Sequence, residues 1–303
     1  MLSCAWLRKN LFVMQTLDYA NPISLASTLP GRMARVAQND SEGSDSGPAG
    51  LTEFESRVCG GLRVGEFHLM FQGAYKAASG ELARVKAQVR WAHPDYGFLL
   101  PGIFAMPIEH PAVMQEMASF VVNAVCRELR SCIDAKLPLR PMAIALPAQI
   151  ALLGSFADDP ARVAESYCVP LGLFEIEVAD SAEAVKLLSL RLMTEGLRES
   201  GVGLALSEWG NGASSLALLG SLDVDTITVA RELMGAVPRN ERAAMVMASM
   251  MDLLCALGGR VVVNGVDTLQ QLQWLRQWPE ALAQGMAFSP LRGGLANVLE
   301  LLS

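Results

Sequence analysis

The sequence predicts an α/β protein folded as a (β/α)8, TIM-like barrel. From Leu51 onward, short apolar runs alternate with longer amphipathic stretches, which are typical of strands and helices respectively. Eight such runs, separated mainly by helical stretches over about 250 residues, fit the strand number of a closed barrel. A doubly wound open sheet is the structural alternative, but no glycine-rich phosphate fingerprint follows the first predicted strand.

Each predicted strand is a short run rich in apolar or β-branched residues, which suits a pleated and half-buried surface. In chain order, the predicted strands are 67–72, 84–91, 142–146, 173–178, 203–206, 226–229, 260–263 and a weaker one at 283–287. The predicted helices carry apolar residues at spacings of three and four, which gather on one helical face. They cover 113–135, 160–167, 182–199, 214–219, 241–257 and 269–278.

Composition narrows the classes of function. Of the 303 residues, 51% are hydrophobic and 18% are charged, so the chain can bury a core rather than remain disordered. The net charge of −7 argues against a broad basic surface for nucleic acid. The longest stretch without charge lies between Arg140 and Asp158, and it falls short of the ~20 clean apolar residues of a spanning helix. We therefore expect no nucleic-acid partner and no membrane span.

The composition changes near residue 50, which predicts an N-terminal segment with a flexible linker over 1–50 and one barrel domain over 51–303. Residues 19–50 are rich in Pro, Ser, Asn, Asp and Gly, a composition that disfavours an ordered core. Residues 1–16 fit either a docking segment or a tail without a role. Arg8 and Lys9 follow a short apolar run, whereas a secretory signal begins with its positive charge, so a cytoplasmic location is expected.

The cysteines indicate neither a disulfide framework nor a metal site. Six cysteines are scattered along the chain without a CxxC pair, and three histidines accompany them. Zinc sites need cysteine and histidine at fixed spacings, so we expect reduced thiols, no structural metal and no cofactor. Motifs of serine hydrolases, zinc proteases and P-loop proteins do not occur in the sequence.

Five segments occur in a fixed order between about Leu62 and Pro290. They are FQGAYKAASGELARVKAQVRWAHP, LFEIEVADS, GVGLALSEWGNGASSL, RVVVNGVDTLQQLQWL and AQGMAFSPL. Each resembles a landmark of the EAL domains, a family that hydrolyses or binds cyclic di-GMP. The resemblance implies a (β/α)8 barrel whose first strand runs antiparallel to the others, and a role in cyclic di-GMP signalling.

The same alignment of motifs shows where this chain departs from the family, whose enzymes hold two divalent cations with carboxylates and an amide at the strand ends. Hard cations need several oxygen ligands that converge on one point. Of that set only Glu177 keeps its type, and Glu208 is a longer substitute for an aspartate. The other changed positions are Lys86 for the signature glutamate, Ala145 for an asparagine, Ser207 for an aspartate, Thr228 for a lysine, Ala230 for an aspartate and Asn264 for a glutamate. The resemblance thus implies no metal, no catalytic residue and no phosphodiesterase activity.

Three functions remain open: a regulatory module that acts through protein contacts, a cyclic di-GMP receptor without hydrolysis, and a phosphodiesterase with unusual ligands. The candidate ligand-binding residues, by their motif positions, are Gln72, Arg90, Glu177 and Gln284. The forked guanidinium of Arg90 suits a phosphate, or else forms a structural ion pair. Convergence of Arg90 and the two glutamines on an open cavity favours the receptor. Pairing of Lys86 with Glu177 or Glu208 favours the interaction module.

Trp209 and Asn211 lie in the loop SEWGNGASSL, which matches a family loop that couples the active site to the dimer interface. Trp209 is either an exposed anchor for a partner or a buried aromatic that replaces the family's phenylalanine. The methionine-rich helix 241–257 is expected to pack on the barrel, or to form a partner surface if it is exposed. The expected partners are therefore a regulatory protein of unknown identity, cyclic di-GMP as an alternative, and a second copy in a homodimer.

Overall fold

Eight strands of the computed structural model close into a barrel, which confirms the predicted fold class. The structure describes residues 50–300 apart from residue 106 and residues 153–157, 182–183, 185–187, 189–190, 212–215, 221–222 and 289. The predicted N-terminal segment and linker therefore lie almost entirely outside the described residues. Within the described part, each helix is too short or too polar to cross a bilayer.

The strand order around the barrel is β1-β2-β4-β5-β6-β7-β8-β9, with β9 pairing back onto β1. The strands are β1 Phe67–Lys76, β2 Leu82–His93, β3 Gly97–Leu99, β4 Met142–Ala145, β5 Phe174–Ala179, β6 Gly203–Trp209, β7 Thr226–Val229, β8 Arg260–Asn264, β9 Leu282–Gln284 and β10 Arg292–Gly293. The first strand, β1, is antiparallel to both β2 and β9, whereas the remaining barrel pairs are parallel. Strands β3 and β10 pair at the edges with β2 and β1.

Helices connect the parallel strands of the barrel, as this class requires, and two more lie at the ends of the described chain. They are α1 Glu53–Val64, α2 Pro101–Phe104, α3 Pro111–Asp134, α4 Ala148–Leu152, α5 Asp158–Ser166, α6 Arg191–Glu199, α7 Leu216–Leu219, α8 Arg231–Met234, α9 Glu241–Ala256, α10 Leu269–Leu275 and α11 Ala296–Leu299. The predicted helix 182–199 falls partly outside the described residues. Helix α1 was not among the predicted helices, although Thr52 and Glu55 form a capping box at its start, a pattern readable from the sequence.

The side chains of strand β5 alternate between the apolar core outside the barrel and the charged interior of the barrel. Phe174, Ile176 and Val178 point outward and pack in the main hydrophobic core against the surrounding helices. Glu175 and Glu177 alternate with them, and both side chains are fully buried inside the barrel. Since successive strand residues face opposite sides, these two glutamates lie one above the other on the inner face.

Small inner residues leave room for long charged ones. Most barrels of this class fill their interior with branched apolar side chains. Here Ala143 and Ala205 are fully buried on strands β4 and β6, and Arg84 on β2 is fully buried as well. The interior is consequently a charged layer rather than a purely apolar one.

The described cysteines are all free thiols, and they are not all buried. Cys168 and Cys255 are exposed. Burial raises the pKa of the Cys126 thiol to about 12 and that of Cys132 to about 11. These two thiols are therefore protonated and unreactive at neutral pH.

Candidate functional site

A cavity of about 510 Å3 opens at the carboxyl ends of the barrel strands. Chemistry in (β/α)8 barrels is concentrated at this end, because side chains from several strands converge there. The strand-end residues that line the cavity include Lys86, Ala145, Glu177, Glu208, Asn264 and Gln284. The sequence-predicted site residues on six strands are thus brought together at one opening.

Lys86 and Glu177 form an ion pair at the base of the cavity. The Lys86 Nζ lies 2.9 Å from Glu177 Oε2, and Arg84 Nη2 lies 3.8 Å from the same oxygen. Burial alone would raise the pKa of Glu177, but the charges of Lys86 and then Arg84 outweigh it and hold the pKa below its usual value. The carboxylate is therefore ionised and already neutralised by side chains of this chain.

A second buried network lies deeper in the barrel. The Arg84 guanidinium pairs with Glu175, which also accepts a hydrogen bond from the Thr226 hydroxyl. Arg260 Nη1 lies 3.3 Å from Glu175 Oε1. Two fully buried glutamates thus share one fully buried arginine, and each has a further cation from another strand.

Glu208 does not take part in these pairs. Its carboxylate lines the cavity and makes neither a hydrogen bond nor an ion pair with the residues that the structure describes. Burial raises the pKa of Glu208, and Glu232 and Glu177 add to the rise, while Lys86 and Arg231 oppose it. The backbone of Glu208 has φ of 57°, in the left-handed region that few residues with a side chain adopt. The alternative pairing of Lys86 with Glu208 is therefore not seen.

The remaining substituted positions supply few oxygen ligands. Ala145 and Ala230 present only methyl groups, Thr228 is fully buried, and the Ser207 hydroxyl donates to the Val178 carbonyl at 3.4 Å. Among the described residues, no three His, Cys, Asp or Glu side chains converge in a way that suits a metal ion. With an ammonium group beside Glu177, the residues present do not fit the two-cation centre that the family implies.

Of the four candidate ligand-binding residues, the cavity gathers three. Gln72 and Gln284 line it with Glu177, and Gln284 Nε2 donates to the Gln72 carbonyl at 3.2 Å. Arg90 is not part of the cavity lining. Its guanidinium donates to the Val89 carbonyl at 2.8 Å and to Gln88 Oε1 at 2.9 Å, and the residue is 1% exposed. The structure thus does not bring Arg90 to the site where a ligand phosphate was expected.

One wall of the cavity was not anticipated from the sequence. Phe104 and Ile108, which lie before helix α3, join Met114, Met117 and Val121 of α3 in an apolar face along the opening. The helical spacing of three and four between Met114, Met117 and Val121 was visible in the sequence. That spacing indicates which face is apolar, but it does not distinguish a face against the core from a face against a cavity.

The predicted interaction loop is only partly described, since residues 212–215 lie outside the described residues. Trp209 is 4% exposed and packs in the main core, so the interpretation of Trp209 as an exposed anchor is wrong. Trp209 is a buried aromatic residue, as the alternative interpretation predicted. Asn211 is exposed and remains a candidate contact residue.

Gly285, next to Gln284, limits what the cavity rim tolerates. A Cβ at Gly285 would lie 2.6 Å from both the backbone nitrogen and the carbonyl carbon of Val266, neither of which can move without strand β9. We expect Gly285→Ala to lower the free energy of unfolding by about 2 kcal/mol, as overpacking does. Urea unfolding measures this loss. Gly60→Ala is the matched control, because nothing lies within 4 Å of its Cβ, and it is expected to be neutral or stabilising.

Comparison with known proteins gives one family. The pattern that defines the EAL domain matches residues 57–290. The cyclic di-GMP phosphodiesterase NbdA of Pseudomonas aeruginosa is 30% identical over 237 residues, which cover 78% of this chain and 30% of NbdA. The cyclic di-GMP phosphodiesterase PA2567 of the same species is 29% identical over 217 residues, covering 70% and 36%. The chain therefore spans about a third of the length of these two curated relatives.

Solved structures share the fold at lower identity. A PaMucR phosphodiesterase in complex with c-di-GMP superposes with a TM-score of 0.73 at 22% identity, covering 82% of this chain and 100% of that chain. The FimX EAL domain from Pseudomonas aeruginosa, bound to c-di-GMP, superposes with a TM-score of 0.70 at 14% identity, covering 80% and 97%. At these identities, the superpositions support the barrel architecture alone.

Proposed function

The chain belongs to the EAL domain family, and we propose that it acts in cytoplasmic cyclic di-GMP signalling as a regulatory module without phosphodiesterase activity. The observation that supports this most is the ion pair of Lys86 with Glu177 at 2.9 Å. Glu177 alone keeps the ligand type of the family's metal-binding set, and its charge is used within the protein. Hydrolysis as the family performs it requires that charge for a cation.

Electrostatic repulsion by Lys86 opposes a cation at Glu177. A cation bound to Glu177 would lie within about 4 Å of the Lys86 ammonium, where each pair of unit charges repels by about 1 kcal/mol in water and about 4 kcal/mol near a protein surface. A divalent ion doubles that repulsion. The methyl groups of Ala145 and Ala230 provide no compensating ligand.

We expect the purified protein to release no linear product from cyclic di-GMP in the presence of Mg²⁺ or Mn²⁺. An active EAL phosphodiesterase assayed in parallel serves as the positive control. Lys86→Glu is expected to remain inactive as well, since Ala145 and Ala230 still lack ligand atoms. Metal-dependent turnover that scales with the concentration of the pure protein would overturn the proposal.

A protein partner is supported by the surface of helix α9. Met247 and Met251 are buried against the barrel, whereas Val246, Leu253 and Leu257 form an exposed stripe along the helix and its end. Their spacing of seven and four residues places them on one helical side. Contiguous exposed apolar surface of this kind marks contacts with other proteins, including a second copy of the chain.

The cavity supports a second candidate function, a receptor that binds a small molecule without hydrolysing it. A volume of about 510 Å3 falls in the range of about 300–1,000 Å3 that small-molecule pockets occupy. The amides of Gln72 and Gln284 lie in its lining, as the family resemblance requires for cyclic di-GMP. The position of Arg90 outside the lining weighs against that particular ligand.

A further inference from the structure

The charges that line the cavity are unequal. In the described part of the chain, the lining contains two cations, Lys86 and Arg231, and three carboxylates. Lys86 pairs with Glu177 at 2.9 Å, and Arg231 Nη2 pairs with Asp267 Oδ2 at 3.2 Å. The third carboxylate, Glu208, has no such pair. Both cations are thus neutralised, and the remaining charge that faces a ligand is negative.

The base of the cavity also presents an acceptor without a donor. Gln284 is 2% exposed, and its Oε1 has no hydrogen-bond partner among the described residues, while its Nε2 donates to the Gln72 carbonyl. Buried acceptors without a donor are uncommon in native proteins and are satisfied by water or a ligand. An N–H or O–H group that enters the cavity would supply the missing donor to Gln284, and Glu208 in the same lining offers a further acceptor.

The apolar part of the cavity lining favours an apolar group in the ligand. Phe104, Ile108 and the methionines Met114 and Met117 form a continuous apolar face along the opening. Methionine side chains adapt to ligands of different shape. A bound molecule would therefore bury an apolar body on this wall and direct a polar end toward the strand ends.

We propose that the cavity binds a small amphipathic ligand with an apolar body and a neutral or singly cationic nitrogen head, rather than a cyclic dinucleotide dianion. Glu208 and Gln284 accept hydrogen bonds from the head, and the wall from Phe104 to Met117 holds the body. A dianion would meet an unpaired carboxylate and no unpaired cation in the described lining. This inference rests on the proposed function, because a cation centre at Glu177 would reverse the charge of the site.

Two probes with the same apolar body test the head-group preference. Phenylbutylamine and phenylbutyrate are titrated by calorimetry into the full chain, up to about 1 mM. Phenylbutylamine is expected to bind at least about tenfold more tightly than phenylbutyrate, since a charge-assisted hydrogen bond is gained in one and a like charge is met in the other. Equal affinity for the two probes, or heat from neither, overturns the proposal.

Variants locate the binding. Glu208→Gln is expected to weaken phenylbutylamine by about tenfold, because it removes the charge that faces the head. Glu232→Gln removes the same charge from a neighbouring exposed residue outside the lining, and it is expected to leave the affinity unchanged. Ala145→Leu adds a bulky side chain to the cavity lining and is expected to weaken binding. Unchanged affinity in both Glu208→Gln and Ala145→Leu would place the amine elsewhere and overturn the proposal.

Cyclic di-GMP separates this inference from the proposed function. If cyclic di-GMP and phenylbutyrate both bind to the cavity and phenylbutylamine does not, the proposed ligand class alone is overturned. Metal-dependent hydrolysis would overturn the proposed function, whereas loss of amine binding without turnover would overturn only the present inference.

Discussion

Replacing Arg84 with methionine is expected to lower the free energy of unfolding by about 3–5 kcal/mol, the usual effect of breaking a buried ion pair. Arg84 is fully buried, pairs with Glu175 and lies 3.8 Å from Glu177 Oε2. Without it, the cations left within the described part of the chain are the partly exposed Arg260 for Glu175 and Lys86 for Glu177. Urea unfolding followed by circular dichroism measures the loss.

A matched control separates the effect of burial on the loss of stability from the effect of removing a charge. Arg63 pairs with Glu116 at 3.6 Å near the surface, where the Arg63 side chain is 73% exposed and the Glu116 side chain 37%, and Arg63→Met is expected to cost about 0–1 kcal/mol. The double variant Arg84→Met with Glu175→Met is expected to recover part of the loss, because an apolar pair can replace a buried ionic one. An Arg84→Met loss no greater than that of Arg63→Met would contradict the role of the inner network.

The barrel could be predicted from the sequence because apolar residues repeat with different periods in strands and in helices, and segments of the two kinds alternate regularly along the chain. The direction of β1 could not be derived from those patterns, since an apolar run has no signal for direction, and it came from the family resemblance alone. The burial of Glu175 and Glu177 follows from their alternation with Phe174, Ile176 and Val178. Their partners do not follow from it, because many arginines and lysines in the chain satisfy the same local pattern.

The candidate site shows the same division. The Lys86–Glu177 pair was foreseeable, since the motif positions placed both residues at the same site. The hydrogen bonds of Arg90 to Val89 and Gln88 were not foreseeable. The packing around a strand arginine decides whether its guanidinium contacts a ligand site or its own neighbours, and the sequence does not show that packing. Trp209 illustrates the same limit. A large aromatic residue in this motif is compatible with a buried core position and with an exposed interface position. The residues that pack around it determine which of the two it takes.

Lys86→Met is expected to lower the free energy of unfolding by about 2–3 kcal/mol at neutral pH. This loss is somewhat smaller than for an ion pair in which both residues are fully buried. The Lys86 side chain is 12% exposed, and Arg84 continues to neutralise Glu177 in part. The loss is expected to depend on pH, because the ion pair controls the pKa of Glu177. Urea unfolding at a series of pH values between 7 and about 4 measures that dependence.

The sign follows from the two pKa directions. In the unchanged protein, the folded pKa of Glu177 lies below its usual value, so its contribution is present above about 4.3 and is lost as the pH falls through the folded pKa. In Lys86→Met, burial dominates and raises the folded pKa, so the folded state takes up a proton at higher pH. The difference in stability between the two proteins is therefore expected to shrink as the pH falls toward 4.3.

Lys76→Met is the control for a lysine on the same sheet. Lys76 pairs at 3.8 Å and 3.6 Å with Glu81 and Glu280, whose side chains are mostly exposed, so a loss of about 0–1 kcal/mol without marked pH dependence is expected. A Lys86→Met loss that stays constant from neutral to acid pH would mean that Glu177 remains ionised without the lysine. Arg84 alone would then keep the carboxylate ionised. That result would overturn the role of Lys86 as the residue that sets the pKa of Glu177.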